Sequence, residues 1–74
     1  MDSFLDRMME EWRELGDKLT KLNAFIDSNM VFLELPEEDQ DLLKAQRDAM
    51  RAYSGILTMR LKRIYKIKGT PDDI

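Results

Sequence analysis

The chain is 74 residues long, with 43% hydrophobic and 36% charged residues, and it contains neither cysteine nor histidine. This length allows one small domain, which buries only about 60% of the surface of its unfolded chain. The composition excludes disulfides, structural zinc sites and the commonest general base. Small domains that lack such staples are often stabilised by self-association, which we therefore expect here.

Charge is distributed unevenly along the chain. Residues 1–41 carry 12 acidic and 4 basic residues, whereas residues 42–74 carry 3 acidic and 8 basic ones. The overall net charge of −3 argues against general nucleic-acid coating, which usually needs a basic domain. Two interpretations of the basic half stay open. It pairs with the acidic half, within the chain or between subunits, or it forms a local anion-binding patch, because no acid lies between Asp48 and Asp72.

No segment of the sequence has the character of a membrane span or a targeting peptide. The longest uninterrupted apolar stretch, residues 30–33, is far shorter than the roughly 18–20 residues that span a bilayer. Residues 1–4 lack a basic region that leads into an apolar core, as in a signal peptide. We therefore expect no membrane association and a location in a cytoplasm.

The first predicted helix covers residues 3–28. Ser3 followed by Asp6 is typical of an N-cap with an acid in the first turn. Asp27 to Asn29 interrupt the apolar periodicity, so the helix is expected to end near residue 28. An apolar hinge, residues 29–35, is expected to fold back over the helix ends. Apolar residues recur along the helix in alternating steps of three and four, as in a heptad seam: Leu5, Met8, Trp12, Leu15, Leu19, Leu22 and Ile26.

The second predicted helix covers residues 36–68. Pro36 suits the first helical position, and the three acids that follow it complement the helix dipole. Gly69 and Pro71 stop the helix. The sequence therefore predicts an all-α, two-helix hairpin as a single domain (1–74) with a short polar tail (69–74), assembling into an oligomeric helical bundle.

Two apolar stripes follow the second predicted helix. A helix that packs only against its hairpin partner needs one stripe, so two stripes predict two neighbours. We expect the second to be an interface between subunits, centred on Ala45, Ala49, Ala52 and Ile56. The first stripe contains Leu43, Gln46, Met50, Tyr53, Leu57, Arg60, Ile64 and Ile67, and the second contains Leu42, Ala45, Ala49, Ala52, Ile56 and Met59.

Gln46, Tyr53 and Arg60 are polar residues at seven-residue intervals in the first stripe. In one interpretation, Gln46 specifies helix register while Arg60 pairs with an acid of the first helix, Asp6 or Glu10. In the other, they line a nucleotide pocket in which the guanidinium binds phosphate, the phenol ring stacks on a base and the amide binds a base edge. Weaker candidates for the same pocket are Met50, Lys18 and Arg63.

Catalysis is not expected. The serines have no histidine to activate them, and the chain has no glycine-rich phosphate loop. The carboxylates of Glu10, Glu11 and Glu14 lie at helical spacing, but no Glu-x-x-His motif follows them, so a di-metal site is not supported. We predict a protein that is not an enzyme and that holds no cofactor or metal.

Two patterns carry a resemblance to a known family. They are Glu11-x-x-Glu14-Leu15-x-x-Lys18-Leu19-x-Lys21-Leu22-x-x-Phe25-Ile26 and, after the hinge, Leu42-Leu43-x-x-Gln46-x-x-Ala49-Met50-x-x-Tyr53-x-x-Ile56-Leu57-x-x-Arg60. Over most of residues 7–64 the chain resembles a widespread family of small helical-hairpin proteins encoded by bacteriophages. That family resembles the phage anti-CBASS sponges, which sequester the cyclic dinucleotide signals of bacterial immunity.

The resemblance implies a homo-oligomer, with a tetramer expected, whose ligand pockets lie between subunits. It also implies that Gln46, Tyr53 and Arg60 bind a cyclic dinucleotide in the cytoplasm of the bacterial host, with Met50 packing around them. Two other classes stay open. A coiled-coil protein-interaction module, or an inhibitor of a host protein, would use the acidic first helix. Direct binding of nucleic acid is less favoured because the net charge is negative.

Overall fold

The computed structural model describes residues 3–67 as three helices in a hairpin. Helix α1 spans Phe4–Ser28, α2 spans Met30–Glu34 and α3 spans Glu37–Ile67. Helices α1 and α3 pack against each other in an elongated body of 50 × 20 × 20 Å. This confirms the predicted all-α hairpin, and both long helices begin within one residue of their expected starts. Residue 68 and the expected tail, 69–74, lie outside the described residues.

The ends of α1 are fixed by side-chain caps. The Ser3 hydroxyl accepts a hydrogen bond from the Asp6 backbone N–H at 3.1 Å, as an N-cap does. At the other end, the Asn29 backbone N–H donates to the Phe25 carbonyl at 3.2 Å. The Asn29 side-chain oxygen also accepts from the Val31 N–H at 2.8 Å. Asn29 therefore ends α1 and begins α2.

The hinge forms a short helix and not an irregular loop. Phe32 is only 3% exposed, and its ring meets that of Phe25 edge to face with 5.9 Å between centroids. The Gln40 amide donates to the Leu35 carbonyl at 2.9 Å, which ties α2 to the first turn of α3. The expected fold-back of the hinge holds for Phe32, while Met30 and its neighbours Val31 and Leu33 stay exposed, because so short a helix buries only one face.

The interior of the hairpin is the seam between α1 and α3. Leu57 is fully buried, and Met8 and Leu61 form one cluster with it. The second stripe points away from α1: Leu42 and Met59 are each 67% exposed, and Ala49 is exposed as well. One chain therefore covers only the first of its two stripes. None of the described helices combines the length and hydropathy needed to cross a bilayer.

The difference between buried and exposed leucines gives a test of this core. Leu57→Ala should lower the free energy of unfolding by about 2–5 kcal/mol, because it removes a fully buried side chain and leaves a cavity. Leu33→Ala removes the same atoms from a site that is 70% exposed and should cost much less. Urea unfolding followed by far-UV circular dichroism, at one fixed chain concentration, measures both. Equal losses from the two variants would contradict the described core.

Candidate functional site

Gln46, Tyr53 and Arg60, here called the polar ladder, lie along one edge of α3. All three side chains are exposed in the single chain, with Tyr53 at 39%. They were expected in the seam, but the seam is made by the neighbouring positions Leu57 and Leu61. The physical reason is that α1 packs against the face of α3 that contains Leu57 and Leu61, and Arg60, one residue before Leu61, points about 100° away from that face. The ladder therefore borders the seam on one side and the second stripe on the other.

The polar ladder faces residues of α1 at matching heptad steps. The Tyr53 hydroxyl donates a hydrogen bond to the Glu11 carboxylate. The Arg60 guanidinium lies over the Phe4 ring, 5.9 Å from its centroid, and not against the acids Asp6 or Glu10. Phe4 and Glu11 are seven residues apart, as are Tyr53 and Arg60, so the two helices run antiparallel in a constant register.

The same register places Lys18 at the level of Gln46. One further heptad step along α1 from Glu11 leads to Lys18, and one step back along α3 from Tyr53 leads to Gln46. Both side chains are exposed. The Gln46 amide nitrogen lies 3.8 Å from the Met50 sulfur, and Met50 is half-buried. Met50 therefore contacts the ladder, and the helix register places Lys18 at the same level as Gln46.

Arg63, the remaining weak candidate, is exposed and follows Met59 of the second stripe by one helical turn. Its position therefore belongs to the second stripe and not to the polar ladder. Arg63 and Arg60 lie three residues apart on the same helix, so the two cations contribute to one basic end of α3.

The electrostatics of the ladder centre on Tyr53. The hydrogen bond to Glu11 raises the pKa of the Tyr53 phenol above its ordinary value of 10.0, helped by desolvation and by the charge of Glu11. The charge of Arg60 acts in the opposite direction and lowers that pKa. At neutral pH the phenol is therefore a protonated donor held by a carboxylate. Its ring face, and not its hydroxyl, is the part available to a ligand.

Sequence reasoning missed Phe4 and Glu11 as members of this edge. Phe4 and Glu11 are seven residues apart, as the ladder residues are, but this spacing alone does not show which residues of α3 they meet. The opposite edge of the hairpin carries different contacts. There the Trp12 indole nitrogen donates to the Thr58 hydroxyl at 2.9 Å, and Arg51 reaches the Asn23 side-chain oxygen at 3.4 Å.

The side chains of the ladder are exposed to solvent in the single chain. Two surface depressions lie elsewhere. One is lined by residues of α1 near Phe25 and Asn29, and the other by Glu38, Leu42 and Ala45 at the start of α3. Neither depression includes a ladder residue. Within residues 3–67, no group of carboxylates is arranged to hold a metal ion. The chemistry on this edge is that of binding: a guanidinium, an aromatic ring and an amide.

A family model described as Sequestin matches residues 2–63. The matched range includes α1, α2 and most of α3, together with the whole polar ladder. No curated protein and no solved structure matches the chain.

The Tyr53–Glu11 contact predicts a pKa that can be measured directly. In a Tyr65→Phe background, Tyr53 is the only tyrosine left, and its ultraviolet titration should give a pKa above 10. Glu11→Ala should lower that value, because it removes the hydrogen bond and the nearby negative charge. Glu10→Ala, a neighbouring acid that does not contact Tyr53, is the matched control.

The same shift sets a pH dependence of stability. Because the folded-state pKa is raised, the contribution of this contact to folding is complete below the unfolded pKa and is lost as pH rises through the folded pKa. Equal pKa values in the Glu10 and Glu11 variants would show that the contact does not form in solution.

Proposed function

We propose that this chain, which belongs to the Sequestin family, is a non-enzymatic binder that sequesters cyclic dinucleotide immune signals. The family's name fits a sequestering protein and implies binding rather than catalysis. The finer part of the proposal is a bacteriophage anti-CBASS sponge that acts in the cytoplasm of the bacterial host. A sponge acts by mass action, so it needs tight binding and abundance but no turnover.

The polar ladder is the observation that carries this proposal. Arg60 offers a planar fork of donors for a phosphate, and the ring of Tyr53 offers a face on which a base can stack. Gln46 has both a donor and an acceptor for a base edge. Successive ladder residues are about 10.5 Å apart along the helix axis, a separation that one nucleotide and two long side chains can bridge. These three groups together suit a nucleotide better than a simple anion.

Because the ladder is exposed in the single chain, a ligand bound there would be enclosed on one side only. We propose that another subunit covers its other side. The second stripe lies next to the ladder, and its exposed Ala45, Ala49, Ala52 and Ile56 form the proposed interface. A homo-oligomer built through this face, with a tetramer as the expected form, would cover the apolar surface and enclose the ladder. Lys18 and Met50 are secondary ligand contacts in this proposal, whereas Arg63, the remaining weak candidate, lies on the interface stripe.

The competing function is a protein-interaction module that uses the acidic first helix. Exposed Glu10, Glu14 and Asp17 on α1 support it. The two functions differ in the ligand, because only the sponge needs a small nucleotide. Binding experiments with cyclic dinucleotides therefore separate them.

Ligand binding should depend on the ladder. Calorimetry with a panel of cyclic dinucleotides, including cyclic GMP–AMP, should detect tight binding to the wild type. Arg60→Ala should weaken it about ten- to a hundredfold, because the loss of a charged hydrogen bond costs roughly 1.5–3 kcal/mol. Tyr53→Ala should have a similar effect through the lost stack, whereas Tyr53→Phe keeps the ring and should bind nearly as the wild type does.

The control for charge alone is Arg13→Ala, an exposed cation of α1 that lies off the ladder edge. Its affinity should match the wild type. If no cyclic dinucleotide binds the wild type, the sponge proposal fails and the protein-interaction module replaces it. If both alanine variants bind as well as the wild type, the function stands and the site assignment is wrong.

Assembly should depend on the second stripe. Ala49→Glu places a carboxylate at the centre of this face, where burial without a partner is costly, so light scattering should show a lower mass with helicity retained. Ala24→Glu makes the same change at an exposed position of α1 and should leave the mass unchanged. A wild-type mass of 8.8 kDa, or an unchanged mass for Ala49→Glu, would remove the proposed interface.

A further inference from the structure

The second stripe of α3 has a mirror symmetry in its own sequence. Its steps of three and four residues read the same in both directions from a point midway between Met50 and Arg51. The pairing places two small residues together at the centre of the stripe, and it places the β-branched Ile56 opposite a small residue. The mirrored pairs are Ala49 with Ala52, Ala45 with Ile56, and Leu42 with Met59.

Charges beside the stripe mirror each other with opposite sign about the same midpoint. Acids occupy the first turns of α3 and bases the last turns, and all of these side chains are exposed. Within residues 3–66, none of the six takes part in an ion pair in the chain. Helix-dipole complementarity favours acids at the start and bases at the end, but it does not require that acids and bases share a flank at nearly matching levels. Glu38 matches Arg63 on the stripe itself, and two further pairs each share a flank within two residues of a matched level: Asp39 with Arg60 on the ladder flank, and Asp41 with Lys62 on the opposite flank.

We propose that the second stripe packs against the same stripe of a second copy, with the two α3 helices antiparallel about a two-fold axis near the midpoint. This proposal rests on the self-association in the proposed function and adds its orientation and register. In an isologous contact of this kind, residue i meets residue j and residue j meets residue i. The mirror pattern is what such a contact needs.

A parallel arrangement would oppose these features. It would place Glu38 beside Glu38, Arg63 beside Arg63 and Ile56 beside Ile56 of the second copy. Like charges would then repel at both ends of the stripe, while the small residues would face each other and leave a gap. Antiparallel packing instead brings the acidic start of one α3 to the basic end of the other and fits Ile56 over Ala45.

The same geometry brings the two polar ladders together. A two-fold axis perpendicular to both helices keeps the same flank of each stripe on the same side of the pair. The ladder flank of α3 is therefore shared, with Tyr53 of one copy near the level of Gln46 of the second copy. On that flank Arg60 comes near the level of Asp39 of the second copy, which is its acidic neighbour in the assembly.

The shared flank forms one site with two-fold symmetry. It holds two phenol rings and two amides at its centre and a guanidinium at each end. A cyclic dinucleotide also carries two bases related by an approximate two-fold axis, which the two Tyr53 rings and two Gln46 amides at the centre of the site can match. Each pair of chains should then bind one ligand, and neither chain alone has a complete site.

Cysteine cross-linking tests the orientation, because the chain has no cysteine of its own. The double variant Ala45→Cys/Ile56→Cys should oxidise to a covalent dimer, since these positions meet across the two-fold axis. Within one helix the two positions are about 16 Å apart, far beyond the roughly 7 Å limit for a disulfide. The single variants Ala45→Cys and Ile56→Cys are the matched controls and should stay uncross-linked, because each would lie about 16 Å from its own copy.

Each outcome decides a different part of the proposal. Cross-linking of either single variant would establish parallel packing and overturn the orientation. If the protein has an oligomeric mass but the double variant does not cross-link, the chain self-associates through a different face and the proposed interface is wrong. A monomeric mass would overturn the orientation and the proposed assembly together. Calorimetry that gives one ligand for each chain, and not one for each pair, would overturn the shared site while leaving sequestration standing.

Discussion

The limited interior of a two-helix hairpin is the constraint on which the rest of this structure depends. Two antiparallel helices share one contact face, and within residues 3–66, whose burial the structure describes, the buried core consists of Met8, Phe32, Leu57 and Leu61. A domain of this size has little stability to spare. The exposed apolar side chains of α3 could add stability if they were buried, because full burial of a large apolar side chain stabilises a fold by about 1.5–3 kcal/mol. Assembly through the second stripe would bury these side chains and so stabilise the folded chain.

Helix α3 combines folding, assembly and binding on adjacent parts of one surface. Leu57 and Leu61 pack against α1, and Ala49 and Ala52 lie on the uncovered second stripe. The polar ladder runs between the buried seam and that stripe. In the proposed assembly, formation of the oligomer and formation of the ligand site are the same event. In the same proposal Glu11 has a further role, because its contact with the Tyr53 hydroxyl would orient the ring for stacking on a base.

Much of the fold follows from local signals in the sequence. The Ser3 cap, the polar break near Asn29 and Pro36 locate the helix boundaries, and the heptad seam of α1 identifies its buried face. The conformation of the hinge was not predictable in the same way, because Asn29 both ends one helix and caps the next. The apolar character of residues 30–33 indicated burial, but only Phe32 is placed where it can reach Phe25.

The candidate site was predicted in part. The seven-residue spacing of Gln46, Tyr53 and Arg60 correctly indicates one face of α3, but α1 packs against the neighbouring face that contains Leu57 and Leu61, so the ladder lies at the edge of the seam. The partners Phe4 and Glu11 depend on the register between two helices, and the periodicity of a single helix does not contain that register. Native mass spectrometry with a cyclic dinucleotide tests the central claim most directly, because it reports assembly and ligand together. The account predicts an oligomer that carries intact nucleotide, and a monomer without bound nucleotide would contradict it.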